Sequence, residues 1–489
     1  MKRESVRAGD RALLVELGNV AAVTLHAGAA AVRQIPGVIA CIAGQRSLLV
    51  VFRDWPDPLA IELALDAPPA VAMAVADHAI RVNFDERHAL DLEQLLARAG
   101  LTKSAFLSRV GSLSLTARYL GFRAGFAYLE GWPELWSLPR RPTSRNLVPR
   151  GSFAIAGSMA GFYPVDSPGG WNVLGRTGET LWDGRRDPPN LIAPGDHVRI
   201  VPTDEDVIPP GPPVEVRPET QTSATVVEVL APGQLTLIVG TRDWSRAQYG
   251  IPPGGPFDGD AMARANQAAG NASSAATLEC VLVGPRLRLT QSRAIGWCNG
   301  AGEVEHRRME AGEEYDVGRI RGGLRGYLAI EGGFHDPRAR FAEAPVRIRA
   351  GDELRSAEAH LTAHATSAPV VDSTMDSNGS RQNRLAIRIV PGPHDAPPLP
   401  NEWEVSAQMN RIGIRLTPLV HVPLTLPTDL PSSGMQFGTL QWHPDGSLMA
   451  MGPDHPVTGG YLQPATVLTE DLWKLGQLAP GDRVRLLPV

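Results

Sequence analysis

Cysteine is scarce in this sequence. Cys41, Cys280 and Cys298 are the three present among 489 residues, far apart, odd in number and without a CxxC pair. A disulfide framework is therefore not expected, and a reducing cytoplasm is the simplest setting. No run approaches the ~18–20 apolar residues that a spanning helix needs. The start, MKRESVRAGDRALLVEL, is basic, but Asp10 and Glu16 interrupt its apolar stretch, which makes a poor signal peptide. Net charge is −5 with dispersed basic residues, so no nucleic-acid footprint appears. No GxxxxGK[ST] string occurs, which excludes a P-loop and requires any nucleotide site to be of another kind.

What is present is glycine and proline, 50 and 43 residues, spaced along the chain as turn signals between short strands. Hydrophobic content of 43% and charged content of 20% are those of a globular protein with chain enough for several cores. RALLVEL and SLLVVF read as strands around the amphipathic helix VAAVTLHAGAAAVRQI, which Pro36-Gly37 stops. DLEQLLARAG (91–100) reads as a second short helix. The expected organisation is α+β: an N-terminal α/β subdomain (1–82), a first antiparallel barrel (83–203), a proline-rich linker (204–224), a strand-rich block (225–355), a linker or mobile loop (356–384) and a last strand-rich block (385–489).

An internal echo supports related barrels. Ala193-Pro-Gly-Asp-His-Val-Arg matches Ala479-Pro-Gly-Asp-Arg-Val-Arg, and Ala350-Gly-Asp-Glu-Leu-Arg is a weaker copy. Ahead of the strong copies stand Gly169-Gly170-Trp171 and Gly459-Gly460-Tyr461. Two elements recurring in one order point to a duplicated unit.

The stretch YPVDSPGGWNVLGRT (163–177) raises the question of chemistry. Ser167-Pro168-Gly169-Gly170 fits a type II turn whose unshielded N–H groups can form an anion nest. Arg176 offers a planar fork for carboxylate or phosphate. Trp171 either walls a pocket or fills the core. Arg140, Arg141, Arg145 and Arg150 form either a solvated run or an electropositive rim. LVPRGS (147–152) looks like a protease site but leads straight into the strand FAIAG, and reads as native. His360 and His364 have helical metal spacing but no third ligand, so no metal is expected. His443 and His455 read as surface histidines.

Several strings carry a resemblance. GFxxGFxYLxG, VPxGSxAIAG, YPxxSPGGWxxLGRT and PGDxVR resemble the KipI-like family, allophanate hydrolase subunit 1. Gly250-Ile-Pro-Pro-Gly-Gly, Phe257-Asp258, AMARANQAAGN (261–271), Leu278-Glu279 and TGGYLQPATV (458–467) resemble its KipA-like companion, subunit 2. The chain looks like a fused pair. The resemblance implies cyclophilin-like barrels after the α/β subdomain, and the B and C components of 5-oxoprolinase, which open a lactam at the expense of ATP with Mg. It also implies a third 5-oxoprolinase component as partner, with a homo-oligomer possible. Two alternatives follow from it. One is a urea carboxylase-type carboxyltransferase, with biotin on a partner domain because the chain has no Met-Lys-Met attachment string. The other is a regulator of a histidine kinase. By resemblance Arg176, Asp258 and Glu279 are the catalytic candidates, and Arg140, Arg150, Ser167, Gly169, Gly170, Trp171, Thr177 and Asn266 the substrate or nucleotide contacts. Where the KipA-like family carries Gln-Asp, this chain has IVGTRDWSRAQYG (238–250), with Asp243 and Arg246 as loose equivalents.

Overall fold

The computed structural model describes residues 3–66, 74–205, 225–335, 345–356, 384–420 and 430–489. Most of the two expected linkers, and with them His360 and His364, lie outside these residues.

The chain opens with a four-stranded antiparallel sheet. Its order is Glu4–Arg7, Ala12–Glu16, Ser47–Phe52, Val38–Ala43. All six residues of SLLVVF are buried, because both faces of the sheet are covered. Leu13, Val15, Leu48, Val50 and Cys41 point to one face, where they meet the helices Ala22–Val32 and Pro58–Asp66 and an aromatic cluster around Trp171. Ala12, Leu14, Leu49, Val51 and Ile42 point to the other, where Ala247, Trp244 and Val457 of the second half pack. The period-2 alternation of a strand thus sends alternate residues to different halves of the molecule. The strand VIACIA (38–43) was not legible as one, since its apolar run follows the helix stop without alternation.

Two closed seven-stranded barrels follow. The first is built from Asp77–Asn83, Leu115–Leu120, Ala127–Glu130, Ser152–Ala156, Met159–Phe162, Asn172–Arg176 and His197–Thr203. The second is built from Ala386–Pro391, Glu402–Met409, Gly413–Pro418, Thr439–Trp442, Leu448–Met451, Leu462–Val467 and Arg483–Pro488. With strands counted one to seven in chain order, both close as 1-6-4-5-3-2-7, and in both the first and last strands pair in parallel. Each barrel also carries a two-stranded ribbon at the double glycine: Arg145–Val148 with Ser167–Gly169, and Ser433–Gly434 with Thr458–Gly459. The fold is α+β with duplicated barrels. Because Asp77–Asn83 is a barrel strand, the first barrel begins before residue 83, and the boundary expected there moves forward.

The PGD turns are one device used three times. Asp196, Asp482 and Asp352 each accept, through Oδ2, the N–H three residues earlier, at 2.8, 2.9 and 2.9 Å. Gly195, Gly481 and Gly351 have φ of 92°, 85° and 84°, the left-handed region open to glycine. Each then donates its N–H at 2.8 Å to a neighbouring strand, at Ala117, Val405 and Val229. The weak third copy sits in the block between the barrels, a pair of antiparallel sheets of five and six strands with the helix Gly259–Ala268 packed on one of them.

Candidate functional site at the seam between the halves

The glycine corner is occupied by the protein itself. Trp171 is 6% exposed and meets Phe126 and Tyr128 edge-on, with ring centroids 5.3 and 5.5 Å away. It is a core residue, and the pocket-wall role expected of it is corrected. Its N–H donates to Tyr163 Oη, and the Gly170 carbonyl accepts from Arg141 N–H at 2.9 Å. Arg141 and Arg145 both ion-pair with the buried Asp91, so they form a structural clasp rather than a rim. Arg176 is half-buried and its Nε donates to the Arg150 carbonyl at 3.0 Å. The Arg150 N–H in turn donates to Asp166 at 2.7 Å. Arg140 is exposed. Thr177 is fully buried and turns the chain by accepting from Glu179 N–H, while Ser167 Oγ is buried without a partner among the described residues. The Arg141 and Arg145 guanidinia and the Arg176 Nε are thus engaged within the protein, whereas the Ser167 hydroxyl has no partner among the described residues. A methyl group on Gly169 would lie 2.3 Å from Tyr163 Oη. Gly169→Ala is therefore expected to cost about 1–3 kcal/mol by overpacking, read as a lower unfolding midpoint in urea.

The second-half candidates converge on a buried ionic network. Asp258 caps the helix Gly259–Ala268, accepting from Ala261 N–H at 3.0 Å and, through Oδ2, from Gln477 Nε2 at 2.8 Å. Glu279 is 0% exposed. Its Oε2 accepts from Tyr327 Oη at 2.7 Å and Phe257 N–H at 3.0 Å, and its Oε1 from Arg411 at 2.7 Å. Burial pushes the Glu279 carboxyl up, but Arg411, Arg325 and these hydrogen bonds outweigh it and hold it below its usual value. Arg411 also grips Asp454 with two hydrogen bonds, at 2.7 and 2.9 Å. Arg325 lies over the Phe257 ring at 4.1 Å and donates to the Gly476 carbonyl. Asn266 is buried and pins the loop after its helix through Ala275 O at 2.8 Å. The network thus brings Asp258 and Glu279 together but leaves Arg176 and the corner elsewhere. Its closed geometry ties the middle sheets to the second barrel.

The open space lies along the seam. A cavity of about 540 Å³ separates the second face of the N-terminal sheet from the second half. Val38, Val51 and Phe52 line one wall, and Phe437, Val467 and Leu472 the other. Most of its polar lining is satisfied internally: Asp10 holds Thr469 Oγ1 at 2.9 Å, and Gln436 and Thr466 both donate to Ala8 O. Arg242 keeps a buried donor unsatisfied. Its guanidinium stacks on Phe437 at 4.6 Å, its Nη2 donates to Pro256 O at 3.0 Å, and its buried Nε has no partner among the described residues. Burial and the nearby Arg411 pull it down to about 10. Further cavities of about 240 and 410 Å³ continue along the seam past Arg33, Cys41 and Gln248. Sequence reading passed over Arg242, although it stands beside Asp243, which caps the turn Trp244–Tyr249. His455, expected at the surface, is 0% exposed beside Trp244, a correction that follows from the second half closing over it.

A protein of two homologous barrel units, joined to a sheet pair and closed over a shared seam, is of the carboxyltransferase-domain type. The model for subdomains C and D of that domain matches residues 4–192, and the model for subdomains A and B matches 249–488. The chain belongs to the carboxyltransferase-domain family. It is 35% identical over 179 residues to the B component of 5-oxoprolinase from Escherichia coli O157:H7, covering 35% of this chain and 82% of that one. It is 27% identical over 296 residues to the C component of 5-oxoprolinase from Escherichia coli K12, covering 54% of this chain and 91% of that one. Urea amidolyase of Lachancea kluyveri is 25% identical over 312 residues, 54% of this chain and 17% of that protein. The crystal structure of TTHA0988 superposes with a TM-score of 0.81 at 27% identity, over 97% of this chain and 99% of that one. Among the described residues no helix is long and apolar enough to cross a membrane.

Proposed function

We propose that this chain carries the B and C components of an ATP-dependent lactam hydrolase on one polypeptide, acting on 5-oxoproline in the cytoplasm with a separate third component. The observation that carries the reading is the seam. The half related to the B component and the half related to the C component each supply one wall of the cavity of about 540 Å³, so the substrate seat exists only when both are present. Its volume and its mixed lining, with apolar side chains beside Arg11, Arg53 and Arg242, suit a small ring-bearing acid. In this reading ATP supplies a good leaving group by activating the lactam oxygen. In this reading the glycine corner, with Trp171 in the core and Arg176 Nε on the Arg150 carbonyl, lies outside the seat, and Asp258 and Glu279 hold the second half in place behind the cavity.

With the third component added, the purified chain is expected to release ADP in proportion to 5-oxoproline consumed, and neither half expressed alone is expected to support this. Equal turnover by one isolated half would remove the seam from the mechanism. The similarity to urea amidolyase over 54% of this chain favours a second reading, a biotin-dependent carboxyltransferase. Retention of the chain on a biotinylated carrier domain, without 5-oxoproline turnover, would select it.

A further inference from the structure

The seam cavity has mixed walls: Arg11, Arg53 and Arg242 line it beside Asp10, Gln436, Thr466 and Thr469, and one of the three arginines has a buried N–H without a partner among the described residues. Arg242 is the one. Among the described residues no carboxylate lies within ion-pair distance of it, whereas Arg411, behind it, is gripped by both Glu279 and Asp454. A buried guanidinium that keeps its charge without a counter-ion is expensive unless an anion arrives. Stacking adds geometry. The Arg242 Cζ lies over the Phe437 ring at 4.6 Å, which limits how the fork can turn. Nη2 spends one proton on Pro256 O and Nε is buried, so Nη1 and the second proton of Nη2 are what remain for the two parallel hydrogen bonds a carboxylate makes. Val51, Phe52 and Leu472 on the same lining take the body of a small ligand.

We propose that Arg242 is the carboxylate anchor of the seam cavity and makes it selective for small cyclic acids over their uncharged counterparts. This rests on the lactam reading only for the identity of the physiological acid. Cavity, stack and unpaired donor stand without it. A residue in this role sets binding and ground-state orientation, so its removal raises KM more than it lowers kcat.

The test is a calorimetric titration of the full-length chain with three probes: 5-oxoproline, its primary carboxamide, and cyclopentanecarboxylate. The expected result is that both acids bind and the carboxamide binds roughly 10- to 100-fold more weakly, the range of a charge-assisted pair. Arg242→Ala is expected to abolish the difference between acid and amide, and Arg242→Lys to restore part of it with a monodentate contact. If Arg242→Ala fails to fold, the acid–amide comparison in the unaltered protein decides alone. Equal binding of acid and amide, or no binding of either acid at millimolar concentration, overturns the proposal. So does unchanged acid affinity in a folded Arg242→Ala. The two readings fail separately. Arg242-dependent binding of cyclopentanecarboxylate without 5-oxoproline turnover refutes the lactamase and leaves the anchor. Turnover of 5-oxoproline with an unaltered KM in Arg242→Ala refutes the anchor and leaves the lactamase.

Discussion

Arg411→Ala is expected to destabilise the second half by about 3–5 kcal/mol, the range for removing one partner of a buried ion pair. The reason lies in what is left behind. Glu279 keeps Tyr327, Phe257 N–H and a longer approach of Arg325 at 3.6 Å. Asp454 loses both of its hydrogen bonds from Arg411, and the Gly255 carbonyl loses its donor. Two carboxylates are then buried with too little to neutralise them. Arg81→Ala is the contrast. Its pair with Glu205 joins side chains 57% and 68% exposed, and its loss is expected to stay within ~1 kcal/mol. Urea unfolding followed by tryptophan fluorescence measures both. Adding Glu279→Gln and Asp454→Asn to Arg411→Met should recover part of the loss, since the orphaned charges go with it. A loss below about 1 kcal/mol for Arg411→Ala would show the network to be hydrated rather than buried.

That network also shows which parts of the molecule a single sequence exposes. The duplicated barrel was legible because its markers are local. Pro-Gly-Asp presets a turn within three residues, a double glycine marks each ribbon, and both recur in order. Asp258 and Glu279 were legible as positions because they lie in strings of the second-half family. Their partners were not. Glu279 meets Arg411 across 132 residues, and nothing in the neighbourhood of either names the other. The arginines near the glycine corner failed for the same reason: Asp91, which holds Arg141 and Arg145, lies fifty or more residues upstream. Trp171 was ambiguous because an aromatic after a turn can face either way, and the packing of Phe126 and Tyr128 decides it. Arg242 was missed because its significance is a missing partner, a property of the space around it. The N-terminal sheet lay between these cases. SLLVVF shows by its unbroken apolar run that both faces are covered, but not that the second cover lies nearly two hundred residues away at Trp244 and Ala247.

Histidines that must stay neutral make the protein acid-sensitive above the carboxylate range. Burial lowers His455 from 6.5 to about 4, helped by the charge of Arg242, against the Pro456 carbonyl that accepts from Nδ1. Burial likewise lowers His26 to about 4, with Arg33 and Arg118 adding to the effect, although its Nε2 is bonded to the Arg118 carbonyl at 2.9 Å. The unfolded chain takes up a proton at each near its ordinary value, while the folded chain resists until about 4. Between those limits the unfolded state binds more protons, so stability is complete above about 6.5 and falls as pH falls. By linkage the loss reaches roughly 3 kcal/mol for each histidine by pH ~4. The carboxylates held low by arginines, Asp183 and Glu279 among them, contribute their own loss only further down, so the upper part of the window belongs to the histidines. Urea midpoints between pH 7 and 4.5 should therefore decline steadily. Because burial lowers His443 to about 4 as well, His455→Gln, which presents an uncharged group of similar reach, should flatten the decline by about a third even if it lowers the plateau. An unchanged slope in that variant would mean that His455 reaches water in the folded protein, and that the second half does not close over Trp244.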